Sequence, residues 1–177
     1  ALDAAYRFRD LPKAYYDDWL EVAEDEIRHF LMIEKLLKVY GSYYGALCVH
    51  DGLFEALKKS SDSLLKRMAL LPRYMEANGL DATPVIIKKL RNDKQNKPII
   101  EALNVILEEE VAHVRKGDKW YKYACQHLKK SSGEYIAIIQ EMYPRSFKQK
   151  RLLNTKDRLR AGFSEKELRM IENLAKN

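Results

Sequence analysis

Glycine and proline are scarce. Seven glycines and five prolines stand in 177 residues, against average usage of roughly 7% and 5%. All-β folds need turn residues every few positions, so the scarcity argues against them. The hydrophobic share of 46% argues against disorder. Two cysteines, Cys48 and Cys125, are too few for a disulfide framework and read as reduced thiols of a cytoplasmic protein. No apolar run approaches the ~18 residues that suggest a membrane span, and no signal peptide is read. A global excess of one charge is also missing. The net charge is +6, but Arg145 to Arg160 holds seven basic residues and one acid, Asp157. That segment carries the whole excess. The balanced remainder disfavours a globally basic nucleic-acid binder.

What is present is helical periodicity. Ala1 to Arg9 reads as the last turns of a helix, broken at Asp10-Leu11-Pro12. Because Ala1 opens inside a helical pattern, the polypeptide is expected to start earlier. A second helix is predicted from Lys13 to Tyr40, stopped by Gly41. A loop follows to His50, and Asp51 would cap a third helix from Gly52 to Asn78, kinked at Pro72 and ended by Gly79. Thr83-Pro84 has the chemistry of a new helix start. A long fourth helix is predicted from Pro98 to Lys130, and a shorter one from Glu134 to Met142. Ser164-Glu165-Lys166-Glu167 is a capping box for a last helix. The expected organisation is a helical bundle over 1–143 and a basic strap with a terminal helix over 144–177.

The second helix contains Glu26-Ile27-Arg28-His29, and the fourth Glu110-Val111-Ala112-His113. Residues three apart share a helix face, so each Glu-x-x-His points a carboxylate and an imidazole the same way. Each pair falls within an apolar stripe: Val22, Glu26, His29, Ile33 and Leu37; then Leu103, Ile106, Glu110, His113, Gly117 and Trp120. Charge buried without partners costs several kcal/mol per ion, roughly. A shared metal would compensate. One such motif is usually a surface pair. Two on separate long helices, drawn from fifteen glutamates and four histidines, are a different matter.

A dinuclear carboxylate site wants Glu-x-x-His from two helices and one Glu from each of two others. Glu76, in line with apolar residues of the third helix, is the third-helix candidate. The first-helix ligand falls upstream of Ala1 by geometry. Asp3 would sit about six residues too low, or ~9 Å at 1.5 Å per residue, and is expected not to be a ligand. His50 is a candidate for supporting the site from outside the ligand set. Lys148, Lys150 and Arg151, beside Phe147, are candidates for phosphate or nucleic-acid contact. A solvated strap is the plainer reading of the same segment.

These motifs resemble the ferritin-like di-iron carboxylate superfamily. More narrowly, the chain is similar to an uncharacterised bacterial ferritin-like family of unknown function. The resemblance rests on Ala1-Leu2-Asp3-Ala4-Ala5-Tyr6-Arg7-Phe8, Tyr16-Asp17-Asp18-Trp19, Glu26-x-x-His29-Phe30, His50-Asp51-Gly52-Leu53, Pro72, Glu76-Ala77-x-Gly79-Leu80-Asp81-x-Thr83-Pro84, Glu109-Glu110-x-x-His113-Val114 and Ala161-Gly162-Phe163. It implies an all-α, ferritin-like four-helix bundle with extra short helices and a basic C-terminal strap. It also implies two iron ions, or manganese or a mixed pair, held by Glu26, His29, Glu76, Glu110 and His113.

The expected function is an oxidoreductase or oxygenase acting with O2 on a small-molecule or RNA substrate. The competing readings are metal storage or detoxification, a tRNA-modifying hydroxylase contacting RNA through the basic segment, and a non-catalytic bundle. No membrane partner is expected, and a homodimer is one option for assembly.

Overall fold

The computed structural model describes residues 1–147 and 152–175. Its described elements are helices and turns, with no strand among the described residues. The fold class is therefore the all-α helical bundle that the periodicity predicts. No helix among the described residues is long and apolar enough to cross a membrane. The chain forms two compact units: Ala1–Gly52 with Thr83–Glu109, and Leu53–Ala82 with Glu110–Asn177.

The first unit opens with α1 (Leu2–Arg7) and α2 (Lys13–Val39). The break between them runs through Asp10, at φ +59°, to Pro12. Tyr15 and Ala4 are buried, and the Tyr15 hydroxyl donates to the Ala4 carbonyl at 3.1 Å. The Tyr15 ring meets Trp19 edge-on. Asp3 accepts both hydrogen bonds from the Arg7 guanidinium. α2 ends as Gly41 predicts. Gly41 takes φ +72°, and the N–H groups of Gly41 and Ser42 donate to the carbonyls of Lys38 and Leu37. That pair of bonds satisfies carbonyls the helix end would otherwise leave open.

The predicted third helix is corrected. It is not continuous from Gly52 to Asn78, and it does not end at Gly79. α3 (Gly52–Lys59) stops, and α4 (Leu64–Leu70) starts from an Ser63 N-cap whose side chain accepts the Lys66 N–H. The run Ser60-Ser61-Asp62-Ser63 supplies hydroxyls and a carboxylate that compete with helical bonds. The Ser60 hydroxyl donates to the Ala56 carbonyl, and buried Arg67 donates to Ser60 Oγ and the Leu57 carbonyl. Arg67 thus closes the gap between the two helices.

A π-helical turn, Leu71–Glu76, then absorbs Pro72. It passes directly into α5 (Ala77–Leu90), which runs through both Gly79 and Pro84. Proline brings no N–H to bond the carbonyl four residues back. That carbonyl belongs to Leu80, and Asn154 Nδ2 donates to it at 3.1 Å. The helix survives its proline because a distant side chain replaces the missing donor.

α6 (Lys97–His127) is the long helix expected from Pro98. In the second unit it packs closely on the π-turn, since a Cβ at Gly117 would lie 2.4 Å from Pro72 Cβ. α7 (Tyr135–Met142) and α9 (Glu165–Leu174) match expectation, the latter with its Ser164–Glu167 capping box. α8 (Thr155–Arg160), capped by Asn154, was not anticipated in the basic segment.

Arg73 is the centre of the second unit. It is fully buried in the π-turn and donates to Asp118 at 2.8 Å and Glu167 at 2.6 Å. Its guanidinium lies over the rings of Tyr121, Tyr135 and Phe163, at 5.0, 4.1 and 4.4 Å from their centroids. The Tyr135 hydroxyl donates back to the Arg73 carbonyl. Gly162, at φ +102°, has no room for a Cβ, which would fall 2.4 Å from Asp118 Oδ2. A second buried pair, Arg158 with Asp81, is bidentate at 2.9 and 2.7 Å. Arg158 therefore does not belong to a solvated strap, and Arg160 pairs with Asp157.

Removing Arg73 would take the buried guanidinium away from Asp118 Oδ1 and Glu167 Oε1, leaving them only the Lys122 and Ser164 bonds to their other oxygens. Arg73→Met is expected to cost about 3–5 kcal/mol in chemical denaturation, whereas Arg169→Met, which frees the exposed Glu165, should cost far less. Acid should act through the same cluster. Burial alone would raise the Glu167 carboxyl, but Arg73 and the Ser164 cap hold it below the usual carboxylate range. A depressed carboxylate stabilises the fold above its unfolded value, and that contribution is lost as pH falls through the folded one. Stability should decline below about pH 4.5, and Glu167→Gln should flatten that decline in pH-dependent thermal melts.

Candidate metal centre

The division between the two units falls inside α6, between Glu109 and Glu110. The two Glu-x-x-His motifs therefore belong to different units.

In the first unit, α2 buries His29 at 5% exposure, while Glu26 is exposed. The expected apolar stripe is corrected here. Val22 is buried, but Ile33 is exposed along with Glu26. The carboxylate stands at the wet margin and the imidazole at the dry one. His29 Nδ1 lies 3.8 Å from Glu26 Oε2. His29 Nε2 lies 2.6 Å from Glu109 Oε2. Glu109 Oε1 accepts from Arg28 at 2.6 Å, and Arg28 also donates to Asp25 at 2.8 Å. Burial would raise the Glu109 carboxyl, but the bonds from His29 and Arg28 hold it below the usual range. An ionised carboxylate on Nε2 fixes the ring and leaves Nδ1 on the Glu26 side.

Glu109 was not foreseen as a functional residue. Its signal is the run Glu108-Glu109-Glu110, because three successive helical residues point about 100° apart. They cannot all enter one site, so a neighbour of Glu110 must serve elsewhere.

In the second unit, α6 buries His113 completely and half-buries Glu110. The apolar stripe expected here holds, with Gly117 and Trp120 buried. His113 Nδ1 lies 3.7 Å from Glu110 Oε2. This repeats the His29–Glu26 separation within a tenth of an ångström, on another helix. The distance is too long for a hydrogen bond. It matches two donors flanking an ion about 2.0–2.2 Å from each. Glu76 stands half-buried at the last residue of the π-turn. Such turns are frequent at functional sites.

His50 is exposed, and its Nδ1 accepts the Gly52 N–H at 3.2 Å. That bond gives it a local role at the start of α3. Lys148, Lys150 and Arg151 lie outside the described residues. Cys48 is exposed and Cys125 buried, both as free thiols.

Fold and motifs together define an all-helical protein with two buried histidines, each faced by a carboxylate one turn back. The chain belongs to the family described as protein of unknown function (DUF455), whose model matches residues 1–169. It is also similar to an uncharacterised protein of Haemophilus influenzae, with 36% identity over 177 residues covering 96% of this chain. The chain spans 61% of that relative's length. No solved structure matches it.

Proposed function

We propose that the chain is a cytoplasmic, ferritin-like metal protein holding two iron ions, with oxidoreductase or oxygenase activity. The repeated carboxylate–Nδ1 separation carries this reading. Two buried imidazoles, each set about 3.7–3.8 Å from a glutamate one turn earlier, are a donor arrangement suited to divalent iron, manganese or a mixed pair. Glu26 and His29 would be the donors of the first unit, and Glu110 leads those of the second. His113 and Glu76 would complete the donors that this chain supplies. Manganese would use the same oxygen and nitrogen set.

Bound iron would supply reduction of O2. The chain's own residues have other tasks. Glu109 holds the His29 imidazole by Nε2, so that Nδ1 is the nitrogen presented on the Glu26 side. Arg28 keeps Glu109 ionised and in place, and is itself steadied by Asp25. The exposed Glu26 carboxylate is in reach of solvent and small molecules, whereas the buried His113 is shielded from water.

Elemental analysis of the purified chain, in parallel with a longer version of the protein, tests the reading. Up to two metal ions per chain are expected, and Glu110→Ala should lose most of them while keeping its helical spectrum. Glu109→Gln should keep the ligand set intact yet weaken metal binding by about 10–100-fold. Metal content unchanged by Glu110→Ala, or no metal in either length of protein, would leave a structural bundle as the better description.

A further inference from the structure

The second unit contains a cavity of about 480 Å³, inside the ~300–1,000 Å³ range of small-molecule sites. None of the candidate metal ligands lines it. Tyr74, Tyr143 and Phe147 form aromatic walls, and Lys59 and Arg145 supply cations. The Tyr74 and Phe147 rings meet edge to face at 4.9 Å, and Lys59 Nζ sits 4.3 Å from the Tyr143 ring centroid. Arg158 and Asp81 also reach the cavity but neutralise each other in their bidentate pair. Glu172 is the remaining acid of the lining. One positive charge is left over.

Two observations separate this cavity from a packing gap. Ser146 lines it at 4% exposure, and its hydroxyl has no hydrogen-bond partner among the described residues. Buried hydroxyls in native structures are nearly always partnered, and an exception calls for a ligand, a water or a catalytic role. The next residue, Phe147, holds φ +63°, where a bulky side chain is a genuine outlier. Its ring contacts with Tyr74 and Tyr135 keep it there. Backbone strain maintained by its surroundings clusters at ligand clamps.

We propose that this cavity binds a small anion bearing a flat ring, of the nucleoside monophosphate class. The ring packs against Tyr74, Tyr143 and Phe147, because aromatic faces accept any flat heterocycle. Lys59 and Arg145 take the phosphate, and the Ser146 hydroxyl supplies a hydrogen bond. The site is independent of the metal proposal.

Calorimetric titration of the full chain with AMP, adenosine and inorganic phosphate tests it. AMP should bind with a Kd below about 1 mM, and about tenfold or more tighter than either fragment. Lys59 and Arg145 are exposed, so Lys59→Ala and Arg145→Ala should fold normally and each weaken AMP several-fold. Ser146→Ala should weaken it as well, with metal content unchanged in all three. Absence of saturable AMP binding overturns the proposal. So does a fragment that binds as tightly as AMP, or AMP binding that survives Lys59→Ala and Arg145→Ala but is lost in Glu110→Ala.

Discussion

A single guanidinium in a π-helical turn sets the terms for the second unit. Arg73 is fully buried and would be intolerable there alone, since a desolvated charge costs several kcal/mol, roughly. Its surroundings answer that cost from three helices and a loop: Asp118 on α6, Glu167 on α9, and rings from α6, α7 and the loop before α9. Each answer constrains its owner. Asp118 excludes any side chain at Gly162. Glu167 must serve both as the capping-box acid of α9 and as an ion-pair partner. The close approach of Gly117 to Pro72 keeps α6 against the turn that carries Arg73.

The same helix, α6, does different work along its length. Its first part presents Glu109 to His29 and Arg28, and its second part carries Glu110, His113 and the residues that hold Arg73. Both parts lie on one helix, Lys97–His127.

Much of this was readable in the order of residues, for physical reasons. Gly41, the Ser164 capping box and the long period of α2 and α6 are local signals, and local signals survive into the structure. The paired Glu-x-x-His motifs were legible because helix geometry alone puts residues three apart on one face. What stayed hidden depends on distant partners. Pro84 looks like a helix start until Asn154 supplies the donor it lacks. Arg158 looks like surface charge until Asp81 receives it. Ser60 to Ser63 looked continuous with its helix because single polar residues are tolerated there, and only their clustering breaks it. Glu109 was overshadowed by Glu110, since spacing identifies a face but not which of two adjacent acids takes which partner.

The Asn154 contact to the Leu80 carbonyl also carries a consequence for synthesis. A nascent chain that has just produced α5 holds a helix with an unanswered carbonyl at Leu80, and the side chain that answers it is 74 residues away. Arg73 waits longer still, 94 residues, for Glu167. Translation at about 5–20 residues per second puts those partners seconds later. During that interval Arg73 has Asp118 and Tyr121 but not its α9 partner. A pause or truncation before α9 would yield a chain with complete candidate ligands and an Arg73 still short of Glu167.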